Sequence, residues 1–263
     1  MKSQARVVII GGGINGCSLL YHLTKLGWTD VTLVEKNELT SGSTWLAAGN
    51  VVQWTPNRCN SRLHKYSIEL YRGLEAETGH QTGWQTTGSL RLATTAERMD
   101  EYRYVLSKDH ALGIECALID PDEAKVLFPF MHTNGLVGAM HHILDGHCDP
   151  AGTTMALATA ARRAGATISR FNRVTDLTHT IGGDWKVHTE KGDIICEIVV
   201  NAAGLWASRI AQMVNTYLPT VPIEHHHLLF DDIPEITALD NELISLRDPD
   251  VPYYARKEGR GLL

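Results

Sequence analysis

A glycine-rich segment near the start of the chain has the residue types and spacing of a phosphate-binding loop. Gly11, Gly13 and Gly16 form the pattern Gly-x-Gly-x-x-Gly, and Ile14 and Asn15 lie between the last two glycines. The first glycine permits a tight turn, the second lets a pyrophosphate approach the backbone, and the third lets a helix pack closely on a strand. The unpaired N–H groups at the start of that helix favour an anion.

The residues on both sides of this loop fit a strand–helix–strand unit. Residues 7–10 are a continuous apolar run, as expected of a strand that is buried on both faces. Leucines recur at helical spacing after the loop, and a second apolar run at residues 31–34 ends at Glu35. A carboxylate at that position accepts hydrogen bonds from ribose hydroxyls and repels a 2′-phosphate. The pattern therefore indicates dinucleotide binding, and a chance glycine-rich turn is the weaker alternative.

A second segment with groups that can contact a nucleotide follows Glu35. Residues 39–49 read Leu-Thr-Ser-Gly-Ser-Thr-Trp-Leu-Ala-Ala-Gly, so hydroxyl groups and glycines are concentrated there. Their hydroxyl and backbone N–H groups can bind phosphate or ribose oxygens. The alternative is an ordinary Ser/Gly loop that caps the next helix. The position directly after the acidic end of a strand favours contact with a cofactor.

The composition argues against several classes of protein. A formal net charge of −6 provides no basic excess to neutralise nucleic-acid phosphates. No apolar run approaches the ~20 residues of a membrane span, and the first strand begins too early to leave room for a signal or transit peptide. Five cysteines, an odd count without Cys-x-x-Cys, indicate a reducing compartment, and we expect the cytoplasm. Cys17, beside the loop, is expected to be a packing residue rather than a redox group.

The remaining pattern predicts an α/β protein whose nucleotide domain is interrupted by other elements. The later predicted helices cover residues 62–77, 95–112, 153–164 and 207–214, and the later predicted strands include 88–93, 136–140, 167–171, 185–189, 194–200, 226–230, 243–246 and 252–255. We therefore expect a cofactor domain built from residues 1–50 and 140–222. Residues 51–139 and 223–263 are expected to form a second, substrate domain.

Several segments together resemble one group of flavoproteins. They are, in order, the glycine loop, Glu35-Lys36, Leu-Thr-Ser-Gly-Ser-Thr-Trp at 39–45, Gly-His-Cys-Asp-Pro at 146–150, Asn-Ala-Ala-Gly-Leu-Trp at 201–206 and Tyr-Tyr-Ala-Arg-Lys-Glu at 253–258. With this order and these gaps, the chain resembles dimethylglycine and sarcosine dehydrogenases, of the D-amino-acid-oxidase type, over nearly its whole length. The resemblance implies a Rossmann-like FAD-binding domain with an interleaved, mainly antiparallel substrate domain.

The resemblance also implies where FAD binds. The pyrophosphate would lie at the glycine loop, the adenosine end near Glu35, and the adenine against the backbone of Val174. The expected cofactor-binding residues are Gly11, Gly13, Ile14, Asn15, Gly16, Glu35, Lys36, Gly42, Ser43, Thr44, Trp45, Val174 and Trp206. Family members with covalent FAD carry a histidine after Ser-Thr-Trp, whereas this chain has Leu46. Leucine has no nucleophilic atom, so we expect FAD to be bound noncovalently.

The implied reaction is oxidation of an N-methyl group on a glycine derivative. A hydride equivalent would move to flavin N5, and water or tetrahydrofolate would intercept the resulting iminium. His225 and Tyr253 match the family's active-site histidine and tyrosine, so we expect them to tune the amine's protonation and to relay a proton. The alternatives are a surface histidine and a core tyrosine. Arg256 is a candidate for binding the substrate carboxylate, with a solvated strand arginine as the alternative.

Other features limit this interpretation. The family often reads His-Gln-Tyr where this chain has His225-His226-His227, and no partner residue has ligand spacing, so no metal site is expected. The end of the chain at a strand-like segment suggests a fragment that lacks further FAD-domain residues and often a folate-binding region. One rival interpretation is a non-catalytic relative that resembles the regulatory subunit of pyruvate dehydrogenase phosphatase. A second is a simple NAD-dependent dehydrogenase. A eukaryotic source would make the mitochondrial matrix an alternative location.

Overall fold

The structure, a computed structural model, describes residues 2–263. The chain forms two compact units. Unit 1 contains residues 1–47, 73–82 and 149–224, and unit 2 contains residues 48–72, 83–148 and 225–263. These units differ from the predicted domains chiefly at residues 73–82 and 140–148, and the functional domain boundaries stay a prediction.

Seven helices and sixteen strands make up the fold of residues 2–263. The helices are α1 (Ile14–Lys25), α2 (Arg58–Thr78), α3 (Ala96–Ala111), α4 (Pro121–Leu127), α5 (Pro150–Arg163), α6 (Ala207–Gln212) and α7 (Pro234–Thr237). The strands are β1 (Gln4–Ile10), β2 (Val31–Val34), β3 (Asn50–Val51), β4 (Gln85–Thr86), β5 (Ser89–Ala93), β6 (Cys116–Ile119), β7 (Gly138–His142), β8 (Gly146–His147), β9 (Thr167–Ser169), β10 (Val174–His179), β11 (Trp185–Thr189), β12 (Gly192–Asn201), β13 (Ser245–Asp248), β14 (Tyr253–Ala255), β15 (Lys257–Glu258) and β16 (Gly261–Leu262).

Unit 1 is organised around a six-stranded sheet in the order β10-β11-β12-β1-β2-β9. Strands β12, β1, β2 and β9 are parallel, whereas β10, β11 and β12 are joined by antiparallel pairs. In the parallel part Ile10 pairs with Val34 and Asn201, so the ends of β1, β2 and β12 lie side by side. Parallel strands collect their carboxyl ends at one edge, where open α/β sheets bind ligands.

Apolar packing on both faces fixes the parallel strands of unit 1. Every residue of β2 is buried, as the continuous apolar run predicts. Helices α1 and α5 pack against each other, and α1 also contacts β2. The core cluster joins the strands of the sheet to Ile210 of helix α6. These contacts hold the segment between β1 and α1 in place, because both flanking elements are buried.

Unit 2 contains a mainly antiparallel sheet in the order β14-β13-β5-β7-β6. Only β13 and β5 are parallel in this sheet. Helix α4 begins at a capping box in which Asp120 accepts from the backbone N–H of Glu123. A second, three-stranded antiparallel sheet has the order β3-β8-β4. The α/β fold class inferred from the sequence is therefore confirmed.

One predicted element is wrong. Residues 226–230 were expected to form a strand, but residues 221–229 have neither helix nor strand. Only Phe230 makes an isolated antiparallel bridge, with Leu262. A strand needs a paired neighbour, and the apolar residues of this segment remain exposed, with Leu228 at 72%. No helix within residues 2–263 is both long enough and apolar enough to cross a membrane.

Candidate cofactor site

A pocket of about 370 Å³ lies in unit 1 where the parallel strands end. Its size falls in the range of about 300–1,000 Å³ that is typical of small-molecule sites. Its lining comprises Ile10, Gly11, Gly12, Gly13, Ile14, Asn15, Val34, Glu35, Lys36, Ser41, Gly42, Ser43, Thr44, Ala47, Asn172, Arg173, Val174, Ala202, Ala203, Gly204, Leu205, Trp206 and Ile210. Most of the residues expected to bind a cofactor therefore share one pocket.

The glycine loop approaches the rest of the backbone too closely for side chains. A Cβ on Gly16 would lie 1.9 Å from the carbonyl oxygen of Gly11, and one on Gly11 would lie 2.3 Å from the carbonyl oxygen of Ala202. Gly11 also has φ +117°, which only glycine adopts readily. Gly13 precedes α1 as its N-cap residue and has no side chain that could bond the first N–H groups of the helix. The first of these groups donates to Thr44 Oγ1, and those that follow it can be offered to a ligand in the pocket.

The Glu35 carboxylate holds the loop in place from the end of β2. One carboxylate oxygen accepts from the backbone N–H of Gly12 at 2.7 Å, and the other accepts from that of Asn37 at 2.8 Å. Each oxygen keeps a further acceptor position for a ribose hydroxyl. Cys17 lies behind the loop, and burial, reinforced by the negative charge of Glu35, raises the pKa of its thiol to about 12. The thiol is thus protonated at neutral pH, in keeping with a packing role.

The hydroxyl-rich segment 39–49 meets the start of α1. Its Thr44 Oγ1 accepts from the backbone N–H of Ile14 at 3.1 Å, and Thr44 begins a 3-10 turn that ends at Leu46. Ser41, Gly42, Ser43, Thr44 and Ala47 line the pocket. Trp45 and Leu46 are exposed and are not part of the lining. The segment thus contributes hydroxyl and backbone groups beside the glycine loop.

A cation lies over an aromatic ring on another wall of the pocket. The Lys36 ammonium is 3.0 Å from the centre of the Trp206 ring. Burial against this ring lowers the pKa of Lys36, although the nearby Glu35 carboxylate opposes the shift. Arg173 also lines the pocket. The two cationic side chains favour an anionic ligand such as a diphosphate.

Asn172, which was not among the residues expected at the cofactor, is fully buried and lines the pocket beside Val174. Its backbone N–H donates to the carbonyl oxygen of Glu35 at 2.9 Å. Its position could have indicated a role in the site, because it is a polar residue just after a predicted strand. Glu35 was identified from the same kind of position. Gly16, by contrast, was expected at the cofactor and lies outside the lining, where it lets α1 pack on the loop.

The expected catalytic residues lie in unit 2. His225 is exposed in the irregular segment 221–229, and Tyr253 is 45% exposed at the start of β14. Neither side chain makes a hydrogen bond to another part of residues 2–263. Partial burial, reinforced by the Asp248 charge, raises the pKa of Tyr253, so its hydroxyl remains protonated at neutral pH. Both groups are therefore open to a small molecule, and their catalytic role stays a prediction.

Arg256 is engaged by protein groups instead of being free for a substrate. Its Nε donates to the carbonyl oxygen of Ala48 at 2.6 Å, and one terminal nitrogen donates to that of Lys257 at 3.0 Å. The other terminal nitrogen is 2.5 Å from a carboxylate oxygen of Glu258. The side chain is nearly buried, so its role within this chain is structural.

Unit 2 also contains a buried group of titratable side chains that the sequence did not reveal. Asp109, Cys116 and His142 are buried, and one ligand-type atom from each lies within 4.8 Å of the others. His142 Nε2 is 3.1 Å from one Asp109 carboxylate oxygen, and Lys108 Nζ is 3.1 Å from the other. Because Lys108 already offsets the Asp109 charge, we interpret the group as a buried ion pair with a histidine partner.

The pocket in unit 1 fits the adenosine diphosphate half of a flavin dinucleotide. The cradle formed at Gly11 and Gly16 has no space for a Cβ, and the N–H groups of α1 beyond its first one can donate to a diphosphate. Glu35 at the end of β2 is placed as a ribose partner. Residues 6–263 match the family described as FAD dependent oxidoreductase, abbreviated DAO.

The chain belongs to this FAD-dependent oxidoreductase family. It is 42% identical over 262 residues to rat mitochondrial dimethylglycine dehydrogenase, covering 100% of this chain and 31% of that protein. It is 37% identical over 271 residues to human mitochondrial sarcosine dehydrogenase, covering 100% of this chain and 29% of that protein. The chain thus spans about a third of the length of these relatives.

The solved structures extend this result to the fold. The L-proline dehydrogenase of P. horikoshii superposes with a TM-score of 0.84 at 26% identity, covering 100% of this chain and 69% of that one. The Rossmann-like cofactor unit with an interleaved, mainly antiparallel unit is therefore the fold of this family. The family and cofactor class inferred from the sequence are confirmed.

Proposed function

We propose that this protein takes part in FAD-dependent oxidation of an N-methylated glycine derivative, of the dimethylglycine or sarcosine type. The observation that carries the proposal is the similarity of the whole chain to dimethylglycine dehydrogenase, with the glycine loop forming one wall of a pocket. Bound FAD would supply the redox step by accepting a hydride from the N-methyl carbon. The protein's own residues bind and orient the two reactants.

The residues of unit 1 would hold the cofactor noncovalently. The N–H groups of α1 that follow the one bonded to Thr44 would donate to the pyrophosphate, and Glu35 would accept from the ribose. Thr44 and its neighbours would contact the cofactor through hydroxyl and backbone groups. Trp206, with Lys36 against its ring, would form the wall opposite the loop. The adenine would meet the backbone at Val174.

The residues of unit 2 would act on the amine. His225 would favour the neutral amine, which gives up hydride more readily than its protonated form, because an imidazole exchanges protons near neutral pH. The Tyr253 hydroxyl would hydrogen-bond the substrate and relay a proton. We expect the substrate carboxylate to find a cation other than Arg256, because that guanidinium is already bonded within the protein.

The spectrum of the purified protein tests the proposal directly. A yellow protein with flavin absorption would be bleached by dimethylglycine or sarcosine in the absence of oxygen. A flavoprotein that neither amine reduces would fit the regulatory alternative and would contradict the proposed reaction. A protein that binds NAD and no flavin would contradict the proposed cofactor. Glycine serves as the control amine, because it has no N-methyl group.

We expect acid precipitation to release all bound FAD into the supernatant. Leu46 occupies the position of the linking histidine and has no nucleophilic atom. Absorbance of the washed pellet and of the supernatant measures the partition. Flavin that stays with the pellet would show a covalent bond to another residue and would contradict noncovalent binding.

We expect Tyr253→Phe to slow flavin reduction about tenfold while FAD stays bound, since only a hydroxyl is lost. His225→Ala should also slow reduction and should flatten its pH dependence. Stopped-flow reduction by each amine provides the rates. The controls are Tyr254→Phe and His226→Ala, at neighbouring positions without an assigned role. Wild-type rates and pH profiles in both test variants would remove these residues from the active site.

The same relatives support a proposal about the partners and location of the whole protein. Tetrahydrofolate would accept the one-carbon unit if the full-length protein contains a folate-binding region. Rat dimethylglycine dehydrogenase and human sarcosine dehydrogenase are mitochondrial, so we propose the mitochondrial matrix as well as the cytoplasm as a location. Enzyme assays with and without tetrahydrofolate would distinguish transfer to folate from release of formaldehyde.

A further inference from the structure

Asn172 lies where three separate stretches of unit 1 meet. It follows β9 by three positions and precedes Val174, the first residue of β10. The residue has no exposed surface, although it contributes to the pocket lining together with Arg173 and Val174. A fully buried amide side chain is costly unless its donor and acceptor are both satisfied. Its hydrogen bonds therefore show what the residue holds together.

Three polar groups of Asn172 contact different parts of the chain. The backbone N–H donates to the carbonyl oxygen of Glu35 at 2.9 Å. The side-chain oxygen accepts from the backbone N–H of Lys191 at 3.0 Å, and the side-chain nitrogen donates to Ser169 Oγ at 3.1 Å. A backbone N–H can only donate, so the amide oxygen must face Lys191 and the NH₂ group must face Ser169. The three contacts connect the ends of β2 and β9 with the turn between β11 and β12.

The neighbouring backbone depends on the same junction. Phe171, just before Asn172, has φ +51°, a conformation that non-glycine residues adopt only when surrounding contacts impose it. The carbonyl oxygen of Arg173 accepts from the N–H of Glu190 at 3.0 Å. The stretch 171–174 is thus an irregular turn with one buried side chain at its centre. The side chain of Asn172 is therefore one of the contacts that place Arg173 and Val174 on the pocket wall, together with the pairing of β10 with β11.

We propose that Asn172 is a positioning residue that holds the wall formed by residues 172–174 against the adenosine half of the dinucleotide. The proposal rests on the proposed cofactor site, and it assigns a role to a residue that does not itself need to touch the ligand. The amide is suited to this place because it offers one donor and one acceptor without charge. A carboxylate would bring a buried negative charge close to Glu35 and to an anionic diphosphate.

Binding of ADP, measured by titration calorimetry, is the sharpest test, because ADP carries the part of FAD that meets unit 1. We expect Asn172→Ala to weaken ADP binding about tenfold both at about pH 5 and at about pH 8. At about pH 8 we expect Asn172→Asp to bind ADP as weakly as Asn172→Ala does. At about pH 5 its ADP affinity should approach that of wild type, because a buried carboxyl group becomes neutral there and can both donate and accept a hydrogen bond. All affinities are compared with wild type at the same pH.

Two comparisons separate positioning from folding. Asn37→Ala is the matched control, since Asn37 is an exposed asparagine in the adjoining segment, and wild-type affinity is expected. Melting temperatures of the ligand-free proteins show whether each variant is folded at the temperature of the titration. A folded Asn172→Ala protein with wild-type ADP affinity would overturn the inference, even if its melting temperature were lower. Failure of Asn172→Asp to recover at low pH would also overturn it.

The outcome for the wild-type protein separates this inference from the proposed function. If wild-type protein does not bind ADP, the proposed cofactor pocket fails, and the role of Asn172 fails with it. If wild type binds ADP and both Asn172 variants bind it equally well at both pH values, the pocket stands and only the positioning role fails. Weaker ADP binding by both variants at high pH, with recovery of Asn172→Asp alone at low pH, supports both the cofactor pocket and the positioning role of Asn172.

Discussion

We expect Gly16→Ala to weaken dinucleotide binding strongly and to destabilise unit 1, although the change adds a single methyl group. The new Cβ would lie 1.9 Å from the Gly11 carbonyl oxygen, far inside van der Waals contact. This clash can be relieved only if α1 moves away from the loop, because the opposing atom belongs to the backbone and not to a flexible side chain. Overpacking of this kind costs about 1–3 kcal/mol of folding free energy. The displacement would also separate the helix N-terminus from the phosphate position, so a loss of about a hundredfold in ADP affinity is expected.

Gly73→Ala is the matched control for this prediction. Gly73 lies within α2, is exposed, and has nothing within 4 Å of a built Cβ. Alanine is a better helix former, so this variant should be more stable than wild type by about 0.5–1 kcal/mol and should bind ADP normally. Urea unfolding and calorimetry measure both effects. Normal ADP binding by Gly16→Ala would contradict the role assigned to the close contact between loop and helix.

We expect His142→Ala to be among the most destabilising single changes in unit 2. His142 and Asp109 both have no exposed surface, and their contact of 3.1 Å satisfies one oxygen of a buried carboxylate. Removing one partner of a buried pair typically costs about 3–5 kcal/mol. Lys108 still offsets the charge of Asp109, which places the expected loss near the lower end of that range. The free energy of unfolding from urea titration measures the effect.

The neighbouring His141 provides the control for this second prediction. Successive strand residues point to opposite faces, and His141 is only half-buried. His141→Ala should therefore cost about 1 kcal/mol or less. The loss of stability in His142→Gln, which keeps a side-chain N–H donor, should lie between those of His141→Ala and His142→Ala. We also expect EDTA to leave the wild-type melting temperature unchanged, and a clear drop would favour a metal ion held by Asp109, Cys116 and His142.

The sequence predicted those parts of the site that depend on residues close together in the chain. The Gly11–Gly16 loop and the acid at the end of β2 can be recognised in the sequence. Each is required by the backbone geometry of a few neighbouring residues. Periodicity identified α1 and most of α2 for the same reason, since one buried face recurs every turn. It failed for residues 226–230, because a strand exists only when another strand pairs with it. The composition of that segment says nothing about whether a partner is present.

Contacts between residues far apart in sequence were decided only by the tertiary structure. Nothing in the local pattern indicates that the amide of Asn172 meets Lys191, or that His142 meets Asp109 across 33 positions. From the sequence, the guanidinium of Arg256 was a candidate for binding a substrate. In the folded chain it donates a hydrogen bond to the carbonyl oxygen of Ala48, 208 positions away. Side-chain partners of this kind depend on how strands and loops are brought together. The sequence by itself therefore determined the family, the cofactor loop and most of the regular elements. The folded chain determined which polar groups are already occupied, because most buried polar groups are stable only when another part of the chain supplies a hydrogen-bond partner.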